Sequence, residues 1–235
     1  MIALILGSGP NVVTARDWPR EAFGRIVAIN NAWRVRPDWD DLIYPEDFPL
    51  DRQPDQVASH QRRIEAAAFV PAQNAFGGFV YAGGTMAFTA GYWALHALRP
   101  RILAFMGCDM TYEGQKTHFY GRGEADPLRA DITLRSLEAK SARLMALAAR
   151  EGCACLNLSS DPSRLVFPRA SLASLPKATP AAVDERAVEA ALAEEARLDY
   201  RVPSGRYWEE ARRFDPARID ALDRLWAATV QSGSQ

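Results

Sequence analysis

Short apolar runs recur along the chain, and each of them stops at a glycine, a proline or a polar residue. They lie at 2–6, 25–29, 41–44, 101–106 and 153–158. Strands that are apolar at consecutive positions, and not only at alternate ones, are typical of a parallel sheet buried on both faces. Segments with helical composition lie between the runs. This alternation predicts a doubly wound, mainly parallel α/β sheet of the Rossmann-like kind.

The helical segments divide the chain into two parts. The stretch 84–98 is rich in alanine, leucine and aromatic residues, and 130–150 carries an apolar stripe at helical spacing. We therefore expect a Rossmann-like domain over 1–170, a proline-containing linker over 171–180 and a charged helical tail over 181–235. Within the tail, helices are predicted near 181–198, 205–213 and 216–230.

The tail is expected to be an appendage outside any ligand crevice. Trp208 and Trp226 are predicted to anchor it on the sheet domain or on a partner, which includes a second copy of the chain. Deletion of 181–235 should then leave ligand binding intact.

Composition excludes several classes of protein. The net charge is −1, from 28 basic and 29 acidic residues, so no overall basic field favours nucleic acid or an anionic membrane. The apolar runs are shorter than the roughly 20 residues that span a bilayer. The opening MIALILGSGP is predicted to be a first strand and not a signal peptide. The three cysteines have no CxxC spacing, which fits a reducing compartment, and we expect a cytoplasmic protein.

Glycine and amide residues follow the first two predicted strands. Gly7, Ser8 and Gly9 permit a sharp turn and a close approach of backbone N–H groups to an anion, and the start of a following helix adds positive potential. They are equally compatible with a plain turn, and the third glycine of a dinucleotide fingerprint is missing. Asn30 and Asn31 can bind a base, a ribose or a sugar, or one of them can cap a helix.

Two further segments lie at predicted strand ends or helix starts. Gly84 and Thr85 precede the helix expected over 84–98, where they either admit a ligand or allow tight packing of the helix on the sheet. Gly107 and Asp109 follow the strand at 101–106, and Asp109 is either a ligand-binding acid or a turn residue. Cys108 between them is expected to be a small buried hydrophobe and not a nucleophile.

His118 is the histidine best placed for catalysis. It lies in a glycine-containing loop expected over 113–123 and is flanked by Phe119 and Tyr120. These rings should partly desolvate the imidazole, which keeps it neutral near pH 7 and able to accept a proton. The alternative is a surface histidine that caps the loop.

The other two histidines carry no such expectation. His60 is predicted to be solvated, and His96 is predicted to lie in the core. The sequence has no HExxH, no paired His–Cys ligands and no GxSxG, so zinc and serine hydrolases have no support, and we expect no requirement for a metal or another cofactor.

The positions of these features favour one shared site. In a doubly wound sheet, ligands bind beyond the carboxyl ends of the strands. The polar segments that should line one crevice are 7–11, 30–31, 44–47, 107–112 and 117–121.

In this order, the segments GSGP, INNAW, GGT, MGCDMTY and THFYG resemble those of the bacterial sialyltransferase-like glycosyltransferases that use CMP-activated nonulosonic acids. The sialyltransferase-like domain of the motility-associated flagellin glycosyltransferases is similar too. The resemblance covers 1–168. It implies an inverting, metal-independent transfer of a sialic-acid-like sugar from a CMP-activated donor to a hydroxyl of a glycan or protein acceptor.

The resemblance also implies roles for individual residues. In that family the G-x-G-P turn and the asparagine after the second strand contact the nucleotide, and a glycine-rich helix start and a G-x-D loop complete the donor pocket. The histidine of the S/T-H-aromatic-x-G segment is the general base, which corresponds to His118. The donor-binding candidates are Gly7, Ser8, Gly9, Asn30, Asn31, Gly84, Thr85, Gly107 and Asp109, and Tyr112 and Tyr120 are candidates for steadying the leaving phosphate.

The chain departs from the family pattern at three places. Ser8 stands where the characterised transferases carry asparagine, and Pro45-Glu46-Asp47 stands where they carry another. Only Met110–Thr117 separate Asp109 from His118, where the family has a long lid with tyrosines. Two alternatives stay open: a pyrophosphoryl transferase like the archaeal 6-hydroxymethylpterin diphosphokinases, which needs Mg²⁺, and a non-catalytic nucleotide-binding protein.

Overall fold

The computed structural model describes residues 1–112, 117–121 and 129–230 of the chain. Its centre is a sheet of six strands, in which every neighbouring pair is parallel. The strands are β1 (Ile2–Leu6), β2 (Arg25–Ile29), β3 (Asp41–Ile43), β4 (Arg62–Ile64), β5 (Ile102–Met106) and β6 (Ala154–Asn157). Their order across the sheet is β4-β3-β2-β1-β5-β6. The predicted α/β class and the parallel sheet are thus confirmed.

The three most apolar strands lie together in the middle of the sheet. β1 pairs with β2 on one side and with β5 on the other, and nearly every residue of these strands is buried. β4 was not predicted, because only Ile64 of its three residues is buried and the two arginines before it are exposed. An edge strand of this kind has one neighbour and no continuous apolar run to reveal it.

Different layers cover the two faces of the sheet. Helices α1 (Ala66–Ala75), α2 (Phe79–Ala82), α3 (Met86–Leu98) and α4 (Leu137–Arg150) lie on one face. Short 3₁₀ segments, among them Pro10–Asp17 and Asn30–Arg34, cover the other. Alternate residues of every strand except β4 enter the two separate apolar clusters, as expected for a sheet buried on both sides.

Polar side chains set the starts of the long helices. Thr85 accepts a hydrogen bond from the N–H of Phe88 and caps α3, and Ser136 does the same for α4 through Ala139. The predicted helix over 130–150 therefore begins at Leu137, after a separate 3₁₀ turn at Ile132–Leu134. These caps satisfy N–H groups that the first helical turn leaves without partners.

The C-terminal region is helical, and its helices pack on the helical layer. It contains α5 (Glu185–Leu198), a 3₁₀ helix at Tyr207–Arg213 and α6 (Pro216–Ala228). Trp226 is fully buried, as predicted, and joins the same apolar cluster as α3 and α4. Trp208 is 62% exposed, so it does not anchor the tail on the sheet domain; the neighbouring Tyr207 is buried there in its place.

Two buried ion pairs join this region to α4. Arg143 Nε lies 2.7 Å from Glu195 Oε1 of α5, and Lys140 Nζ lies 2.8 Å from Asp223 Oδ1 of α6. Both cations are inaccessible to solvent. Deletion of 181–235 would remove the partners of both cations and would expose the apolar surface of the helical layer that Ile219, Leu222 and Trp226 now cover, which is destabilising. The structure therefore argues against the expectation that the truncated chain keeps its binding site.

The segment expected as a linker lies against the sheet. Leu175 is 1% exposed and belongs to the second apolar cluster, and the Arg101 guanidinium donates to the carbonyls of Pro176 and Ala178. This segment covers part of the second face. None of the helices in the described ranges is long and apolar enough to cross a membrane.

Candidate functional site

A crevice of about 950 Å³ opens at the carboxyl ends of the central strands. Eleven of the twelve predicted site residues line it, namely Gly7, Ser8, Gly9, Asn30, Asn31, Thr85, Gly107, Asp109, Tyr112, His118 and Tyr120. The expectation that polar segments at the strand ends share one crevice agrees with this geometry. Gly84 is not among the lining residues.

The floor of the crevice is a close contact between the turns after β1 and β5. The N–H of Gly7 donates to the Met106 carbonyl, and the N–H of Gly9 donates to the Gly107 carbonyl, both at 2.8 Å. A Cβ on Gly9 would lie 2.9 Å from that same carbonyl oxygen. The glycines are therefore needed for packing, and the Gly7 and Gly9 amides are already occupied. Between them, the N–H of Ser8 has no hydrogen-bond partner among the described residues.

Asn30 and Asn31 follow β2 and do not cap a helix. The 3₁₀ helix begins at Asn30 itself, and no side chain caps it. Asn30 adopts a left-handed backbone conformation with φ of 50°. Asn31 is 4% exposed, and the side-chain oxygens of both residues are buried without a hydrogen-bond partner among the described residues. Buried acceptors of this kind are costly unless something donates to them, which favours the ligand-binding interpretation.

Gly84 and Thr85 have different roles: Gly84 serves packing, whereas Thr85 lies at the crevice. The N–H of Gly84 donates to Thr133 Oγ1 at 3.1 Å, and a Cβ at Gly84 would clash with that hydroxyl. Gly84 thus allows tight packing and does not contact the crevice, which contradicts its predicted place in the pocket. Thr85 caps α3 and also lines the crevice.

Asp109 is held by a network of amides behind the crevice. It is 6% exposed, and its two oxygens accept hydrogen bonds from Asn11 at 2.8 Å and from Asn157 at 3.1 Å. Asn11 also donates to Ser159 and Asp161. The network ties the turn after β1 to the ends of β5 and β6.

Sequence reasoning had not singled out Asn157, Ser159 or Asp161, although a polar Asn-Leu-Ser-Ser-Asp segment after the last strand was the available signal. Cys108 is buried as expected, and burial raises the pKa of its thiol well above the ordinary value. A thiol in this state is a poor nucleophile.

His118 lies beside the turn after β1. Its N–H and carbonyl pair with Gly121 in a tight bend, and the next residue, Phe119, donates its N–H to the Ser8 carbonyl at 3.0 Å. His118 is 8% exposed, so it is not a surface histidine. Parts of the predicted loop, 113–116 and 122–123, lie outside the described residues.

Aromatic rings enclose the imidazole of His118. Tyr120 stacks on it with ring centroids 5.0 Å apart, and Tyr112 lies at 5.9 Å. Its Nδ1 is 2.9 Å from Thr117 Oγ1. Desolvation lowers the pKa of His118 below its ordinary value, so the imidazole is neutral near pH 7. A neutral, enclosed imidazole in a crevice can accept a proton.

The remaining histidines lie outside the crevice. His60 is exposed, as predicted. His96 is exposed as well, so its expected place in the core is wrong: it lies on the exposed face of α3, whereas Leu95 and Leu98 pack on the core.

The sequence also contains an Asp-x-Asp pattern, which is a known type of metal-binding motif. Asp38 and Asp40 form an Asp-x-Asp sequence just before β3, at the end of the strand away from the crevice. Asp38 binds Arg36 at 2.6 Å and Asp40 binds Arg20 at 2.8 Å. These aspartates therefore neutralise arginines. Within the described ranges, no group of three or more His, Cys, Asp and Glu side chains is arranged to hold a metal.

Comparison with protein-family models, with curated proteins and with solved structures gave no match.

Proposed function

We propose that this protein is an inverting glycosyltransferase that uses a CMP-activated, sialic-acid-like sugar, with His118 as the general base. The observation that carries the proposal is the hydrogen bond from Phe119 N–H to the Ser8 carbonyl. It brings a desolvated, neutral imidazole to the turn where the resemblance places the donor nucleotide.

The reaction would proceed as a single displacement. The acceptor hydroxyl attacks the anomeric carbon and its proton passes to His118, while the bond from that carbon to the phosphate oxygen breaks and CMP leaves with the electron pair. General-base assistance of this kind is worth roughly 10²–10⁴-fold in rate.

The leaving CMP needs stabilisation as its negative charge develops. Ser8, whose N–H has no partner among the described residues, lines the crevice, and Tyr112 and Tyr120 line it close to the imidazole. Backbone and phenolic donors of this kind can stabilise developing negative charge. The buried oxygens of Asn30 and Asn31 are acceptors for N–H or O–H groups of the nucleotide or sugar.

The test compares His118→Ala with His60→Ala, a variant of an exposed histidine outside the crevice. CMP binding is measured by calorimetry, and sugar transfer or CMP release is measured with a CMP-sugar panel. We expect His118→Ala to bind CMP like the wild type and to turn over at least about 10²-fold more slowly. Near-normal turnover in His118→Ala would show that His118 is not the general base.

Assays with a chelator separate this proposal from the diphosphokinase alternative. A glycosyltransferase of this type keeps its turnover without Mg²⁺, whereas a pyrophosphoryl transfer from ATP stops. CMP binding without turnover of any donor would favour a non-catalytic nucleotide-binding protein.

A further inference from the structure

Two arginines at the mouth of the crevice have no counter-ion among the described residues. Arg34 and Arg52 line the crevice, and both are exposed. They are the only arginines among its described lining residues. Neither guanidinium forms an ion pair or a hydrogen bond with the described part of the chain, although most other arginines near the sheet do.

Trp33 holds the two arginine-bearing segments together. Its indole N–H donates to the Arg52 carbonyl at 2.9 Å, and the Arg34 guanidinium lies 5.2 Å from the centre of its ring. This contact fixes the 3₁₀ helix after β2 against the segment after β3. The two arginines therefore line the crevice from neighbouring, connected elements.

The acidic groups of the crevice do not neutralise these arginines. Asp109 and Asp161 are engaged by Asn11. Asp47 lies in the same segment as Arg52 and lines the crevice, but it forms no ion pair with either guanidinium. Guanidinium groups are the usual protein partners of carboxylates and phosphates, which they bind through two parallel hydrogen bonds.

We propose that Arg34 and Arg52 bind an anionic group, a carboxylate or a phosphate, carried by the acceptor. This rests on the proposed function. Gly7 and Gly107 form the buried floor of the crevice, where the donor phosphate is assigned, whereas the two arginines lie on its exposed rim, where a second substrate enters. The acceptor class is therefore an acidic sugar or an acidic glycan.

The experiment uses matched neutral and acidic probes on the full-length protein. Methyl glucoside, methyl glucuronoside and methyl glucoside 6-phosphate are compared by ligand-observed NMR, with CMP present at saturation. The Arg34→Gln/Arg52→Gln double variant is compared with Arg186→Gln, which removes a charge from an exposed position of α5. Thermal unfolding confirms that each variant is folded.

We expect the acidic glycosides to bind the wild type and Arg186→Gln more tightly than the neutral one. The double variant should lose that preference, with binding of the acidic probes weakened roughly tenfold or more. Equal binding of neutral and acidic probes, no binding of any acidic probe, or an unchanged preference in the double variant would overturn the proposal.

Two further outcomes distinguish a donor phosphate from an acidic acceptor as the anion that the arginines bind, and distinguish failure of the anion site from failure of the proposed function. If the double variant weakens CMP relative to cytidine and leaves the acidic glycosides unaffected, the arginines bind the donor phosphate and the acceptor assignment is wrong. If CMP fails to bind while the acidic glycosides still depend on the arginines, the anion site stands and the CMP-dependent function fails.

Discussion

Three asparagine side chains in the crevice, Asn11, Asn30 and Asn31, each leave a buried amide oxygen without a partner among the described residues. A protein interior rarely tolerates such groups, and each costs about 1–3 kcal/mol when it is not solvated. Their concentration at one edge of the sheet is the residue-level evidence for a polar ligand. Asn11 differs from the other two because its amide nitrogen already binds Asp109, Ser159 and Asp161.

Asn31→Leu should separate stability from binding. The substitution removes a buried acceptor that has no partner, so the free energy of unfolding should stay the same or rise. Loss of a hydrogen bond to the ligand should weaken CMP binding roughly two- to tenfold. Urea denaturation and calorimetry measure the two effects. A destabilised variant with unchanged CMP binding would show that Asn31 has a structural role only.

His118 should make stability depend on pH in a defined window. Its pKa in the folded chain is lowered by burial from the ordinary value of 6.5. Below that value the unfolded state binds more protons than the folded state, so the free energy of unfolding decreases as the pH falls through 6.5 towards the lower folded pKa.

The measurement for this prediction is urea denaturation of the wild type and His118→Gln between about pH 7.5 and pH 5, a range that brackets the histidine transition. The decrease assigned to His118 is the difference between the two curves, because other titrating groups are common to both. Parallel curves would mean that the imidazole is not desolvated.

At the scale of elements, the contact between the turns after β1 and β5 decides what the glycines do. If Gly9 served only to let a ligand approach the backbone, Gly9→Val would block the ligand without disturbing the sheet. The structure places the new side chain against the Gly107 backbone. The substitution therefore acts on the junction of two strands before it acts on a ligand.

Gly9→Val should be destabilising, by about 1–3 kcal/mol, because the two turns must move apart to accept the side chain. Ser8→Ala, a change at the half-buried residue between the glycines, should have little effect on stability. Chemical denaturation of both variants checks this. A Gly9→Val protein as stable as the wild type would show that the turns can separate freely, and it would restore the variant as a test of ligand binding.

At the scale of the whole molecule, the C-terminal helices share their core with the sheet domain. Arg143 of α4 binds Glu195, and Trp226 of α6 donates its indole N–H to the same carboxylate at 2.7 Å. Tyr92 of α3 accepts a hydrogen bond from the Arg143 guanidinium at 2.7 Å. The cluster connects four helices through buried side chains, so the C-terminal helices contribute to the stability of the whole chain.

Glu195→Ala should destabilise the protein by about 3–5 kcal/mol, because it leaves the Arg143 charge buried without its partner. The matched control is Glu194→Ala, which breaks an exposed pair with Arg197 and should cost less than about 1 kcal/mol. Urea denaturation of both variants measures the contrast. Equal effects would show that the C-terminal helices are only loosely attached.

The sequence by itself determined the parallel sheet and the place of the crevice. Apolar runs such as 2–6 and 25–29 can be buried only in a sheet covered on both faces, and the residues that end such strands must gather at one edge. An apolar run and the polar residue that ends it are local features, because both are formed by consecutive residues. For this reason the apolar strands and eleven of the twelve site residues could be placed before the fold was known.

Only the tertiary structure decided which polar groups are free and which are already engaged. The amides of Gly7, Gly9 and Gly84 are occupied by Met106, Gly107 and Thr133, partners at least 49 residues away along the chain. Distant neighbours likewise decide the exposure of Trp208 and His96 and the packing of the C-terminal helices. The same holds for Arg34 and Arg52, which have no counter-ion within the described part of the chain. Such pairings have no local pattern in the sequence, because side chains far apart along the chain compete for them in the folded state.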